Sequence, residues 1–316
     1  DINLPKPDKY ETSELVAFLQ QLVCYNGFYD KNLDFIALQN IHVVASMAPS
    51  TTVGRYPLST RFTANVRIGA MSYPHKESLL AIYSALASSA LAAKCPGSAA
   101  WHGATPAGKL AACMIDVYDG VRKKFSADDQ RHYNFTPRDL TRWIIGLLRY
   151  DGIGEATAGA GPLLEAWAHE GARQLRDRLV SPRDCARYDS IVAAALASHF
   201  SHSLEDASAA SSAYSSLLGG SSERVGASPS RALALTRAPL SDVLTVVKKG
   251  IVSYEREIRE LGLVLFSQAL DALLRIERVL SQPNSALLLV GASGVRRRAL
   301  PSRPCHRHGL ELASPA

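Results

Sequence analysis

Apolar residues recur at three- and four-residue spacing through most of this 316-residue chain, which predicts a largely helical protein with an α/β portion at its start. Leu15, Val16, Phe18, Leu19, Leu22 and Val23 follow the cap formers Thr12 and Ser13, placing an amphipathic helix over about 13–25 that Gly27 stops. Phe35, Ile36, Leu38, Ile41, Val43 and Val44 are β-rich, with 40–46 the best candidate for a buried strand. Turn formers over 47–57 predict a surface loop ahead of Leu58-Ser59-Thr60-Arg61-Phe62 and a second strand candidate at 65–70.

From Pro74 the period becomes helical, over 79–93, 107–125, 137–150, 161–179 and 182–200. The third helix has a well-marked start, because Thr136 can cap, Pro137 suits the first turn and Asp139 sits three residues after the cap. Leu140, Trp143, Ile144, Leu147 and Leu148 form its apolar stripe, leaving Arg138 and Arg142 together on another face. Residues 201–239 are rich in Ser, Ala and Gly and read as a flexible linker. Helices follow over 240–250 and 254–280, then the apolar run 286–290, a buried strand feeding the glycine-bearing loop 291–295. The last stretch, 301–316, has no apolar period.

Charge narrows the function less than its total suggests. The formal net charge is +6, but residues 291–316 hold five Arg against one Glu, so the basic balance belongs mostly to that end and a nucleic-acid surface is not indicated. No window approaches the roughly 18 uninterrupted apolar residues of a membrane span. Five scattered cysteines without a CxxC pair argue against a disulfide framework or zinc knuckle and fit a reducing compartment. The opening Asp1-Ile2-Asn3-Leu4-Pro5 reads as the end of a buried strand, as though cut from something longer.

The motifs are individually weak. Gly291-Ala292-Ser293-Gly294-Val295-Arg296-Arg297-Arg298 follows a strand-like run as a phosphate-cradling loop should, yet Arg296 replaces the second glycine and Arg297 the lysine. Taken alone, Arg61 is a surface ion-pair residue or a phosphate-sensing arginine, and Arg138 with Arg142 a solvated basic face. His199 and His202 lack further metal ligands, as does Cys305-His306-Arg307-His308, so no metal site is assigned.

Together and in order, these segments resemble a dynein heavy chain, an AAA+ ring motor. The stretch Asp1 to Pro5 resembles the end of a Walker B strand, Gly27-Phe28-Tyr29-Asp30 a family turn, and 58–62 the arginine-finger segment. Thr136-Pro137-Arg138-Asp139-Leu140-Thr141-Arg142-Trp143 resembles a sensor II helix, and Leu274-Arg275-Ile276-Glu277-Arg278-Val279-Leu280 the approach to the next Walker A. The resemblance implies an α/β plus α fold running from the third AAA+ module into the fourth. Its parts are the end of an AAA+ P-loop core (1–73), a helical lid (74–200), the linker (201–239), the first helices and strand of the next module (240–300) and an off-pattern tail (301–316). Leu15 to Gln21 and Asn40 to Met47 are most similar to the cytoplasmic class that drives retrograde intraflagellar transport, with axonemal heavy chains and a non-catalytic helical scaffold as alternatives.

By resemblance, Arg61 is a finger toward the second module's nucleotide. Arg138 is a contact to the third module's nucleotide, with Arg142 in reserve, and Gly291, Gly294 and Arg297 belong to the fourth module's phosphate loop. Asp1 falls where a water-activating Glu is usual and Met47 where a sensor Asn is usual, implying slow or absent hydrolysis at the third module. The parent motor would use ATP and ADP with magnesium, whereas this chain alone would be no ATPase. Implied partners are the other AAA+ modules and, through the parent, microtubules and the intermediate, light intermediate and light chains, with neither nucleic acid nor membrane. The implied location is cytoplasm, cytoskeleton and cilium.

Overall fold

The computed structural model describes residues 1–52, 54–154, 159–203, 212–218, 232–290 and 299–313. The chain divides into two units, Asp1–Tyr73 and Pro74–Ala316.

In the first unit, helix α1 (Glu14–Tyr25) ends at the residue expected, but left-handed Asn26 stops it rather than Gly27. Gly27 instead opens β1 (Gly27–Tyr29), which pairs antiparallel with β2 (Phe35–Ala37). Glycine is required there, since a Cβ would come 2.5 Å from the Ile36 carbonyl oxygen. Asp30 closes the hairpin by accepting from the amides of Asn32 (2.8 Å) and Asp34 (2.9 Å). The short α2 (Thr60–Thr63) is capped by the Ser59 hydroxyl and anchored by buried Phe62.

The strands expected at 40–46 and 65–70 do not form. Among the described residues of this unit the hairpin is the only sheet, so neither segment has a ladder to join, and Val44 stands 95% exposed. What orders 40–48 is local bonding to the N-terminal run. The Ile2 amide donates to the Ser46 carbonyl (3.0 Å), and the buried Asn3 side chain donates to the Ala48 carbonyl (2.7 Å).

The second unit follows the predicted helices closely: α3 (Lys76–Lys94), α4 (Ala104–Lys124), α5 (Pro137–Leu147), α6 (Gly161–Gln174) and α7 (Pro182–Phe200), with a 3-10 turn (Arg176–Arg178) after α6. Helix α4 is central, packed between α3 and α7, while α5 packs on α3 and α6. Leu110, Met114, Val117, Tyr118, Trp143, Trp167 and Leu196 share one continuous core. Burial in this apolar interior pushes the Cys113 thiol up to about 12, so it serves as packing rather than as a nucleophile.

Part of the expected linker is ordered. Ser212–Ser215 (β3) pairs antiparallel with Thr236–Pro239 (β4), and Ser215, Ser216 and Leu217 are buried. The remainder of 201–239 lies mostly outside the described residues. A poor composition does not prevent strand formation when a partner supplies the ladder and a helix, α8 (Leu240–Glu257), covers it.

Helix α8 runs straight through Gly250, against the break expected there, and α9 (Ser267–Leu280) begins only after a segment containing left-handed Gly262. A Cβ at Gly250 would collide with the Arg303 guanidinium, so this glycine admits a neighbour rather than ending a helix. The run 286–290 is not the expected buried strand, for Leu288 is 84% exposed and no described strand lies beside it to pair.

The 301–316 segment, without apolar period, contains helix α10 (Ser302–Arg307), held by charge rather than by a stripe. Buried Glu277 of α9 accepts from Arg307 (2.8 Å), His308 (3.0 Å) and the Ser216 hydroxyl (3.3 Å). Burial alone would raise the Glu277 carboxyl, but His308 and Arg307 outweigh it and hold it below its ordinary value. A depressed folded value means stabilisation that is complete above the ordinary glutamate range and lost as pH falls through the folded value. Glu277→Gln is therefore expected to destabilise the chain at neutral pH by about 1.5–3 kcal/mol, the worth of a charged hydrogen bond. It should also flatten the fall in melting temperature between about pH 5 and 3. An unaltered acid limb in the Glu277→Gln variant would place the acid sensitivity elsewhere.

Candidate functional site

Helix α5 carries the candidate nucleotide contact and is fixed along its length. At its start the Asp139 carboxylate accepts from the Thr136 amide (2.9 Å), and the Tyr83 hydroxyl donates to the Pro137 carbonyl (2.5 Å). Arg178, from the turn after α6, grips buried Asp139 through both terminal nitrogens and also donates to the Asn134 carbonyl (3.0 Å). Trp143 stacks on Trp167 with ring centroids 4.6 Å apart and donates its indole N–H to the Trp167 carbonyl (2.8 Å). Gly171 of α6 leaves room for that indole, and Gly146 of α5 for the Glu170 carboxylate; a Cβ at either would collide.

Leu140, Trp143, Ile144 and Leu147 are buried, whereas Leu148, expected in the same stripe, is 40% exposed where the helix ends. Arg138 and Arg142 are both exposed, and neither enters an ion pair or side-chain hydrogen bond among the described residues. Ile145, three residues beyond Arg142, is 52% exposed and extends that face with an apolar group. The outer face of α5 thus combines two unspent guanidiniums with a hydrophobe on a rigid support, a surface suited to an anionic group beside apolar matter.

The other candidates are distributed. Arg61 is exposed on α2, makes no side-chain ion pair among the described residues, and its carbonyl accepts from Asn65 (2.8 Å). Asp1, half exposed, is ion-paired with Arg55 at 3.0 Å. No hydrogen bond or ion pair among the described residues joins Asp1 to Arg61. Gly291, Gly294 and Arg297 lie outside the described residues. His199 spends its Nε2 on Asp116 (2.8 Å), whose other carboxylate oxygen takes Lys76 (2.7 Å), so it belongs to a surface ion cluster. Gly103 to Lys109 matches the first seven positions of a phosphate-loop motif, but 104–108 already lie in α4, and a helix cannot wrap a phosphate as a loop does.

Sequence reasoning missed the polar network at the other end of α5. Arg149 is buried and donates to the Leu233 carbonyl (3.1 Å), the Arg278 carbonyl (3.0 Å) and the Ser281 hydroxyl (2.7 Å). Glu170 is fully buried and pairs with Arg278 while accepting from the Tyr150 hydroxyl (2.9 Å) and Gln174 (2.9 Å). Burial, then the like charge of Arg278, pull the Arg149 guanidinium down to about 10. Burial also works against the charge on Arg278, but Glu170 more than compensates. Apolar periodicity does not register such residues, because they occupy interior positions with charged side chains.

Three family descriptions match successive parts of the chain. Residues 1–74 match the P-loop containing dynein motor region, 88–185 the dynein heavy chain ATPase lid domain, and 261–314 the P-loop containing dynein motor region D4, a match that takes in α10. The chain belongs to the dynein heavy chain family, within its AAA+ region. It is similar along its whole length to cytoplasmic dynein 2 heavy chain 1, with 41% identity over 317 residues in Tripneustes gratilla, 39% over 321 in Homo sapiens and 40% over 315 in Chlamydomonas reinhardtii. A cytoplasmic dynein heavy chain of Caenorhabditis elegans is 34% identical over 320 residues. The chain spans about 7% of the length of the dynein 2 relatives.

Proposed function

We propose that this stretch conveys nucleotide state between the third and fourth AAA+ modules of a dynein heavy chain. It thereby helps couple ATP hydrolysis to minus-end-directed microtubule movement in retrograde intraflagellar transport. The similarity to cytoplasmic dynein 2 heavy chains supports that class over the axonemal one. The observation that carries the reading is the exposed, unspent Arg138–Arg142 pair on a helix held firmly from behind. Guanidiniums in that state can meet phosphate oxygens without first breaking an internal ion pair.

Arg138 is the contact to the third module's ATP or ADP, with Arg142 beside it, and Arg61 is the finger toward the second module's nucleotide. Gly291, Gly294 and Arg297 form the fourth module's phosphate loop, in which arginine replaces lysine. Bound ATP with magnesium supplies the phosphoryl chemistry, and the residues of this chain position or sense it. Asp1 is one methylene shorter than a glutamate and is held by Arg55, and Met47 offers no amide to orient water, so hydrolysis at the third module is slow or absent. The partners are neighbouring AAA+ modules and, through the whole motor, microtubules and the accessory chains, within cytoplasm and cilium.

Arg138→Ala in the full heavy chain should weaken equilibrium nucleotide binding at the third module about tenfold or more, the worth of a charged hydrogen bond. Unchanged affinity would favour a helical scaffold with no nucleotide role. For Arg61, alanine and, less severely, lysine should loosen ATP-dependent coupling between the second and third modules while melting is unaltered. A lower melting temperature with nucleotide release unchanged at the second module would make Arg61 merely structural.

A further inference from the structure

Helix α5 has Arg138 near its start and Arg149 just past its end, about 16 Å apart along the axis at 1.5 Å per residue. Arg149 reaches α9 at the point where that helix runs out of internal partners. Its guanidinium takes the Arg278 carbonyl and the Ser281 hydroxyl, which itself donates to the Arg278 carbonyl (2.9 Å). A cation seated on the last turn of a helix is favoured both by the orphan carbonyls and by the dipole. Beside it Glu170 of α6, lying in the space left by Gly146 of α5, pairs with the Arg278 side chain. The backbone after α5 is bolted too, since Leu235 donates to the Arg149 carbonyl (2.7 Å) and Asp151 donates to the Leu235 carbonyl (3.0 Å).

We propose that Arg149, backed by Glu170, is a positioning residue that makes the arginine-bearing helix α5 and helix α9 move as one body. A nucleotide-driven shift of α5 is thereby delivered to α9, which leads into the apolar run at 286–290. The contacts are short, buried and mutually dependent, so the joint between the two helices has one arrangement rather than a range. Lysine at 149 retains charge but not the planar fork that serves three acceptors on two segments, Leu233 and the end of α9. The inference rests on Arg138 contacting nucleotide, and the test separates the two.

The test uses the full heavy chain and hydrogen exchange with and without a slowly hydrolysed ATP analogue and magnesium. In unmodified motor, the analogue should change exchange in both 137–147 and 267–281. Arg149→Gln should retain the change at 137–147 and lose it at 267–281, with Arg149→Lys intermediate. A generally loosened structure would raise exchange in both states without erasing the nucleotide-dependent difference, and an equal difference at 267–281 in Arg149→Gln overturns the clamp. So does a response at 137–147 without one at 267–281 in unmodified motor. No response at 137–147 in unmodified motor overturns the nucleotide reading, and the transmission with it.

Discussion

Replacing Glu170 with alanine is expected to destabilise the chain by about 3–5 kcal/mol, because one buried partner disappears and leaves the other charged. Arg278 would remain almost fully enclosed beside Arg149 with its carboxylate gone. The Tyr150 hydroxyl and the Gln174 amide would each lose an acceptor as well. Glu170→Gln keeps one acceptor oxygen and puts an NH2 donor in place of the other, so it loses the charge and one of those two contacts, and its effect should be smaller than that of alanine. Denaturant midpoints compared at constant slope measure both. A loss under about 1 kcal/mol for the alanine variant would mean that the buried pair contributes little. Gly146→Ala tests the same site from the opposite side, since its methyl would displace the Glu170 carboxylate.

Trp143→Ala is expected to cost a similar amount, about 3–5 kcal/mol, for a different reason. The indole is wholly buried, stacked on Trp167, seated against Gly171 and hydrogen-bonded to the Trp167 carbonyl. Its removal leaves a cavity between α5 and α6 that rigid neighbours fill poorly. At about 2–4 °C per kcal/mol for a unit of this size, melting should fall by roughly 6–20 °C. Trp143→Phe keeps the aromatic contact and loses the indole N–H, so most of the stability should return. A fall of less than about 3 °C in the alanine variant would contradict the packing described, by the same conversion. The indole also fixes the helix that presents Arg138 and Arg142, so the alanine variant should weaken nucleotide binding in the full motor even where it remains folded.

Much of the candidate site was legible beforehand because its signals are local. The α5 start is written in Thr136, Pro137 and Asp139, and the stripe through Leu140, Trp143, Ile144 and Leu147 places Arg138 and Arg142 outside without further information. The same holds for the lid helices, where a 3.6-residue period means that one face must find a core. The strand candidates fared differently. A strand has no internal hydrogen bonds, so 40–46, 65–70 and 286–290 could be only as good as the neighbours available to pair with them. Conversely, Ser212–Ser215, in a segment composed like a linker, became a strand because Thr236–Pro239 lay alongside.

Sequence alone therefore determined the helices of the lid, the outward arginines of α5 and the family order of the motifs, all properties of residues close in the chain. Tertiary structure decided the rest: that Gly250 admits Arg303, that 302–307 folds onto Glu277, and that Arg149 and Glu170 bind α5 to α9. Glu170 and Arg278 are 108 residues apart in sequence. A buried charge is tolerable only where its partner arrives, and no local pattern at either residue records that arrival.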